Sequence, residues 1–162
     1  MWGNNPDQLP WSFMAKPLNF IHLRVNTLQS VMRPLLENDY AQYWMEQGIL
    51  CCRYRKGLTI DHSTAVAVAR DRFRLQQGRP FAIFCDISGV KGIDINARNY
   101  LAGEGSMLIN AVAFLVGPPL SHVISAFYIK TNRPPVPTGV FMDKREAMDF
   151  LIAIGNHMDE KT

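Results

Sequence analysis

Residues 81–98 read Phe81-Ala-Ile-Phe-Cys-Asp86-Ile-Ser-Gly-Val-Lys-Gly92-Ile-Asp94-Ile-Asn-Ala-Arg98. The apolar run from Phe81 to Asp86 is typical of a buried strand, and it ends at a carboxylate. A small Ser-Gly turn follows, and Asp94 then stands where it can cap the start of a helix. Functional groups of α/β proteins often lie in such a loop, because backbone N–H groups at a helix start are unpaired. The stretch therefore predicts an α/β fold and a functional surface at this loop.

The rest of the chain continues the alternation of strands and helices. A hairpin is predicted from Tyr40–Met45 and Ile49–Arg55, around Glu46-Gln47-Gly48. The further predicted elements are a short strand at Thr59-Ile60, a helix capped by Asp61 and running to about Gln77, a helix from Asn96 to about Ile109, a strand from Ala111 to Val116, a helix that begins at Pro118-Pro119, a stiff loop from Asn132 to Pro137, a strand from Val140 to Met142 and a helix capped by Asp143. This order predicts one small domain with a mixed, mostly parallel central sheet of about four or five strands, an antiparallel N-terminal hairpin and covering helices.

The length of 162 residues suits a single domain. Residues 1–31 contain three prolines and two tryptophans without helical or strand periodicity. We interpret them as a loosely ordered N-terminal extension, or as upstream sequence included by a wrong start with Met32 as the true initiator. Residues 32–156 form the predicted domain, and residues 157–162 form a C-terminal tail.

Charge and cysteine usage favour a cytoplasmic protein. The formal net charge is only +3, and acids are interspersed among the arginines, so nucleic-acid binding is not expected. Six arginines could form a basic face against nucleic acid or an acidic partner, but a solvated face is preferred: Arg53, Arg55, Arg70, Arg72, Arg74 and Arg79. In the first helix, Arg70, Arg72 and Arg74 fall mostly outside the apolar stripe. The vicinal Cys51-Cys52 pair would point to opposite faces of a strand, so reduced thiols are the simple interpretation. No apolar segment is long enough to predict membrane insertion.

Catalytic and metal sites are not predicted. The four histidines, His22, His62, His122 and His157, show no metal-ligand spacing with one another or with cysteine. No phosphate loop, dinucleotide fingerprint or nucleophile elbow is present, so no cofactor is expected. Asp86 and Asp94 are conceivable as an acid–base pair, but such carboxylates more often cap loops and helices. We therefore expect no enzyme activity and no catalytic residue.

The run from Asp86 to Asp94 resembles the STAS domain of anti-sigma-factor antagonists, in which Asp-Leu-Ser-x-Val-x-x-Ile-Asp-Ser-Ser-Gly follows a strand and opens a helix. From Met32 to about Leu151 the chain is also similar to uncharacterised bacterial proteins described as STAS/SEC14-like. The resemblance implies a small α/β domain and a partner-binding or regulatory loop. The residues it assigns to that loop are Asp86, Ser88, Gly89, Gly92, Asp94, Asn96 and Arg98.

One departure from the motif affects function. The antagonists are phosphorylated on the second serine after the motif's acid, but Ile95 and Asn96 occupy the two serine positions here. Neither side chain can accept phosphate, whereas Asn96 can still help to cap the helix. The resemblance therefore implies a regulatory loop without its serine switch.

Three functions follow, in order of preference. The first is a non-enzymatic protein-interaction domain that binds a regulator or kinase-like protein, or another copy of itself, through the loop. The second is a small-molecule or lipid-binding domain of the SEC14-like type, which would need an apolar cavity beneath the helix that carries Ala97. The third is an enzyme that uses Asp86 and Asp94.

Overall fold

A six-stranded mixed sheet lies at the centre of the part of the chain that the computed structural model describes, residues 34–117 and 136–159. Its strands are β1 (Leu36–Glu37), β2 (Ala41–Glu46), β3 (Ile49–Tyr54), β5 (Phe81–Asp86), β7 (Ile109–Leu115) and β8 (Thr138–Phe141), in the order β1-β2-β3-β5-β7-β8. The first three strands are antiparallel, and β3, β5, β7 and β8 are parallel. The predicted mixed sheet is confirmed, with the short edge strand β1 added to it.

The hairpin between β2 and β3 forms at the predicted place. Gln47 and Gly48 make its two-residue turn, and both have positive φ, at 53° and 79°. Two consecutive left-handed residues define a type I′ turn, whose twist matches that of the flanking strands. The turn thus pairs Tyr43 with Cys52 and Trp44 with Cys51.

Three described helices connect or cover the strands. They are α1 (His62–Gln76), α2 (Ile95–Ala102) and α3 (Lys144–Asp159). A second sheet pairs β4 (Thr59–Ile60) in parallel with β6 (Gly92–Ile93). The predicted helix after Pro118 and most of the predicted Pro-rich loop lie outside the described residues.

Both ends of α1 follow the prediction. The Asp61 carboxylate accepts a hydrogen bond from the Thr64 backbone N–H at 2.8 Å, and the helix ends where Gln77 adopts a left-handed conformation, φ 51°. Gly78 then continues at φ 78°, a conformation that glycine adopts without steric cost. The predicted cap at Asp143 is also present, since its carboxylate accepts from the Glu146 backbone N–H at 3.1 Å.

The helix α2 is shorter than predicted. It ends at Ala102, and a 3₁₀ turn at Glu104–Ser106 separates it from β7, which already includes Ile109. Two side chains of α1 hold this connection. Arg72 donates to the carbonyls of Gly105 and Met107 at 2.5 and 3.0 Å, and Gln76 donates to the carbonyl of Leu108 at 2.6 Å. The connection is thus fixed to α1 and does not continue α2 as an α-helix.

The position predicted for Arg72 is wrong for the same reason. Its guanidinium is not on a solvated face; the residue is only 7% exposed and also donates to the Gln76 amide oxygen. Helical periodicity places a residue by angle only. It does not reveal that a neighbouring loop supplies carbonyl acceptors, which allow a charged side chain at that position to be buried. Arg70 and Arg74 are exposed, as predicted.

The sheet separates two apolar clusters. On the side of α1 and α2 lie Cys52, Cys85 and Ala97, and on the side of α3 lie Cys51 and Phe84. The vicinal cysteines therefore do face opposite sides, as predicted. All three cysteines are free and buried, with the Cys52 and Cys85 sulfurs 3.4 Å apart. Burial raises the pKa of the Cys51 thiol to about 12.

The cap of α1 predicts a specific acid sensitivity. Hydrogen bonds from the Thr64 backbone N–H and the Ser63 hydroxyl lower the pKa of Asp61 from 3.8 to about 2. Between these values the unfolded chain binds the proton more readily, so the stability that the carboxylate contributes is present above about pH 4 and is lost as the pH falls towards 2. We expect Asp61→Asn, which still caps, to unfold with a shallower dependence on pH in this range.

Urea unfolding followed by circular dichroism between pH 2 and pH 6 would measure this difference. The control is Asp149→Asn, the same substitution at an exposed position within α3. If Asp61→Asn and Asp149→Asn changed the pH dependence equally, the cap would not be its source.

Candidate functional site

The predicted loop lies at the carboxyl ends of the parallel strands. Asp86 ends β5, which is flanked by β3 and β7 in the middle of the sheet. In the parallel register of β3 and β5, Arg53 is directly opposite Asp86. This edge is where open parallel sheets place their ligand-binding groups.

The Asp86 carboxylate is buried and fully engaged. One oxygen accepts from Arg53 Nε at 2.8 Å, and the other accepts from the Ser88 backbone N–H at 3.1 Å and the Ser88 hydroxyl at 2.6 Å. The side chain of Asp86 is 7% exposed, whereas that of Arg53 is 54% exposed. Asp86 therefore organises the turn that follows it and orients Arg53.

The turn from Ile87 to Val90 is held from two sides. Its own hydrogen bond joins the Val90 N–H to the Ile87 carbonyl at 3.0 Å, and the Gly89 carbonyl accepts from the Gly57 N–H at 2.7 Å. The Ile87 N–H donates to the Leu115 carbonyl at 2.9 Å. The backbone of the turn is thus connected to the segment that follows β3 and to the end of β7.

Close backbone approach explains two glycines at this edge. A Cβ on Gly89 would lie 3.1 Å from Lys56 Cα, and a Cβ on Gly117 would lie 3.1 Å from the Ser88 carbonyl oxygen. Both distances are tighter than nine in ten real Cβ contacts. An alanine at 89 or 117 would therefore require the facing backbone to move by a few tenths of an ångström.

The second half of the loop carries the start of α2. Gly92 lies in β6, and the exposed Asp94 caps the helix by accepting from the Ala97 N–H at 2.7 Å. Asn96 is exposed on the first turn, and Arg98 is half-buried. Within residues 34–117 and 136–159, no hydrogen bond or ion pair joins Asp86 to Asp94. The structure therefore gives each carboxylate its own structural partners.

An open groove of about 550 Å³ adjoins the turn. It is lined by Gln42, Arg53, Tyr54, Arg55, Lys56, Asp86, Ser88 and Gly89. Three of the predicted loop residues, Asp86, Ser88 and Gly89, line the groove. The other four do not: Gly92, Asp94, Asn96 and Arg98. The position of Arg53, Arg55 and Lys56 beside the loop was not predicted, because the contribution of β3 depends on the register of β3 with β5, which no local pattern reveals.

The described residues contain no group of three or more His, Cys, Asp or Glu side chains placed to hold a metal ion. Among the helices of residues 34–117 and 136–159, none is both long and apolar enough to cross a bilayer.

Comparison with known proteins agrees with the geometry. Residues 43–154 match the model of a family described as a domain of unknown function, DUF7793. A crystal structure of an uncharacterised DUF3478-family protein from Shewanella loihica PV-4, described as having a SpoIIAA-like fold, is similar with a TM-score of 0.53 and 17% identity. The match covers 72% of this chain and 98% of that chain. No curated protein matches the sequence. At this identity the likeness shows the fold alone, and it confirms the predicted STAS-like architecture.

Proposed function

We propose that this chain, which belongs to the DUF7793 family of domains of unknown function, is a non-catalytic protein-interaction domain that binds a partner protein through residues 88–96 and the first turn of α2. The observation that carries the proposal is an exposed apolar side chain at the start of α2. Ile95 is 43% exposed beside the exposed Asn96, on a loop whose backbone is fixed by hydrogen bonds. A rigid loop with an exposed apolar residue loses little conformational entropy when it binds.

Backbone hydrogen bonds fix the loop, which supports partner binding without a change in the loop's conformation. Besides the turn at Ser88-Gly89, the Lys91 N–H donates to the Leu58 carbonyl at 2.8 Å and the Asp94 N–H donates to the Ile60 carbonyl at 3.0 Å. The pairing of β4 with β6 adds further backbone hydrogen bonds. The start of α2 is therefore presented in one orientation.

Regulation by phosphorylation of α2 is not part of the proposal. Ile95 and Asn96 stand at the start of the helix, where a phosphate would be stabilised by the unpaired N–H groups, but neither carries a hydroxyl. The Ser88 hydroxyl donates to Asp86 at 2.6 Å within the turn. We infer that partner binding is controlled by some means other than a serine at the helix start.

We propose no catalysis, because both candidate acids, Asp86 and Asp94, have structural hydrogen bonds. Asp86 accepts three hydrogen bonds that hold the turn and Arg53, and Asp94 caps α2. A general acid or base needs a free position within hydrogen-bond reach of a substrate. Both carboxylates are better explained as supports of the binding surface.

Lipid binding has no comparable support. Ala97 is 0% exposed and belongs to the buried apolar cluster that also contains Cys85 and Ile60, so this face of α2 packs into the core. Most of the residues that line the groove at the site have charged or polar side chains.

Affinity capture with Asn96→Glu tests the proposal. The new carboxylate would stand beside Ile95 at the centre of the proposed interface, and we expect it to weaken partner capture about tenfold or more. Quantitative mass spectrometry of proteins retained by the wild-type and variant chains measures the change, and light scattering of the purified protein tests a second copy as the partner.

Asn156→Glu is the matched control. It places the same substitution at an exposed position of α3, a helix that covers the opposite face of the sheet. A partner lost with Asn96→Glu and kept with Asn156→Glu supports the proposed interface. Equal retention by both variants would show that α2 does not form it.

A further inference from the structure

We propose that the groove beside the loop is a binding site for the phosphate group of a phosphate monoester, with Arg53 and Lys56 as its main contacts. The groove is lined by three cationic side chains, Arg53, Arg55 and Lys56, and by one carboxylate, Asp86. Its volume of about 550 Å³ leaves room for the organic group that the phosphate carries.

Arg53 is oriented for this role. Its Nε donates to Asp86 at 2.8 Å, and its Cζ lies 5.6 Å from the centre of the Trp44 ring. The guanidinium is therefore held through its Nε edge and lies over the face of the indole. Among the described residues, its two terminal nitrogens have no hydrogen-bond partner. A guanidinium fixed through Nε presents those two N–H groups as a fork, which matches two oxygens of a phosphate.

Lys56 adds a second cation at the same groove. Its backbone is fixed, because Lys56 Cα lies against Gly89 and the adjacent Gly57 N–H bonds to the Gly89 carbonyl at 2.7 Å. In the described part of the chain its ammonium group has neither an ion pair nor a hydrogen bond. Arg55 contributes less, since its Nη2 already pairs with Glu37 at 2.8 Å.

The balance of charge favours a dianion. Both oxygens of Asp86, the one acid in the lining, are already occupied by Arg53 and Ser88. A phosphate monoester carries a charge between about −1.5 and −2 at pH 7, because its second pKa is near 6. The charge of a phosphate monoester therefore matches the two available cations, Arg53 and Lys56, better than the single charge of a carboxylate does.

This inference goes beyond the proposed function and is tested separately. It concerns the β3 side of the loop, which shares Ser88 and Gly89 with the proposed partner surface but does not include the start of α2. Phosphate binding is measured on the purified chain with no partner present, so failure of either proposal leaves the other open to its own test.

The experiment is an NMR titration of the backbone amides at constant ionic strength, with glycerol 3-phosphate as one probe and a phosphoserine peptide as the other. Glycerol and the unphosphorylated peptide serve as counterparts without the phosphate group. We expect the amides of Lys56 and Gly89 to shift with the phosphorylated probes only. The tighter of the two probes identifies the source, a small metabolite or a phosphorylated chain.

Variants locate the site. We expect Lys56→Gln to weaken binding about tenfold, the usual effect of losing one charge-assisted hydrogen bond. Arg74→Gln removes an equal charge from an exposed position of α1 and should leave the affinity unchanged. Arg53→Lys keeps the charge at Asp86 but lacks the fork, and should weaken binding while the protein stays folded. Equal affinity in Lys56→Gln and Arg74→Gln, or no amide shift with either phosphorylated probe, would overturn the proposal.

Discussion

We expect Phe84→Ala to lower the free energy of unfolding by about 3–5 kcal/mol. Phe84 is 0% exposed at the centre of β5 and belongs to the apolar cluster under α3. Its ring lies edge-on to Trp44 with centroids 6.5 Å apart. Because the surrounding strands cannot collapse into the space, the substitution would leave a cavity as well as losing buried apolar area.

Urea unfolding of wild type and variant measures this loss. Phe81→Ala is the control, since Phe81 is a half-buried phenylalanine on the same strand but on the opposite face. We expect it to cost clearly less. Equal losses at the two positions would mean that the packing under α3 is looser than the structure shows.

Arg72→Met should cost about 2–4 kcal/mol, the second largest effect that we expect. The side chain is buried and donates to the carbonyls of Gly105 and Met107, which would lose their partner. A buried carbonyl left without a hydrogen bond costs about 1–3 kcal/mol. Leu108, whose φ of 62° is unusual for a leucine, lies in the same connection and would lose part of its support.

Arg74→Met is the matched comparison for Arg72→Met. It makes the same substitution two residues later on α1, at an exposed position, and should change stability by no more than about 0.5 kcal/mol. Hydrogen exchange would show increased opening at residues 104–108 in Arg72→Met only. If both variants were equally stable, the hydrogen bonds from Arg72 to the connection would contribute nothing net.

The class of fold could be predicted because its signals are local. The turn at Gln47-Gly48, the cap at Asp61 and the apolar run of β5 each depend on a few neighbouring residues, and all three lie where predicted. The alternation of such elements then restricts the sheet to a mostly parallel arrangement.

The end of α2 has a local signal that the prediction did not use, since Gly103 directly follows its last residue. The environment of Arg72 could not be predicted, because its carbonyl partners lie more than thirty positions away along the chain. The lining of the groove also combines residues that are far apart along the chain. Asp86 and Ser88 were identified from the loop motif, but the cations that face them come from β3 and the residues just after it. Only the register that sets Arg53 beside Asp86 brings the two segments together. Whether Asp86 to Arg98 binds a partner stays a prediction.

The turn at Ile87–Val90 has a consequence for the order of folding. Its two outer hydrogen bonds join it to the Gly57 N–H and the Leu115 carbonyl, each about thirty residues away along the chain. The hairpin and α1 form from nearby residues, but the turn needs both crossovers closed and β3, β5 and β7 paired. Such non-local contacts form late, after the entropy of loop closure has been overcome. We therefore expect the groove to form only after β3, β5 and β7 have paired.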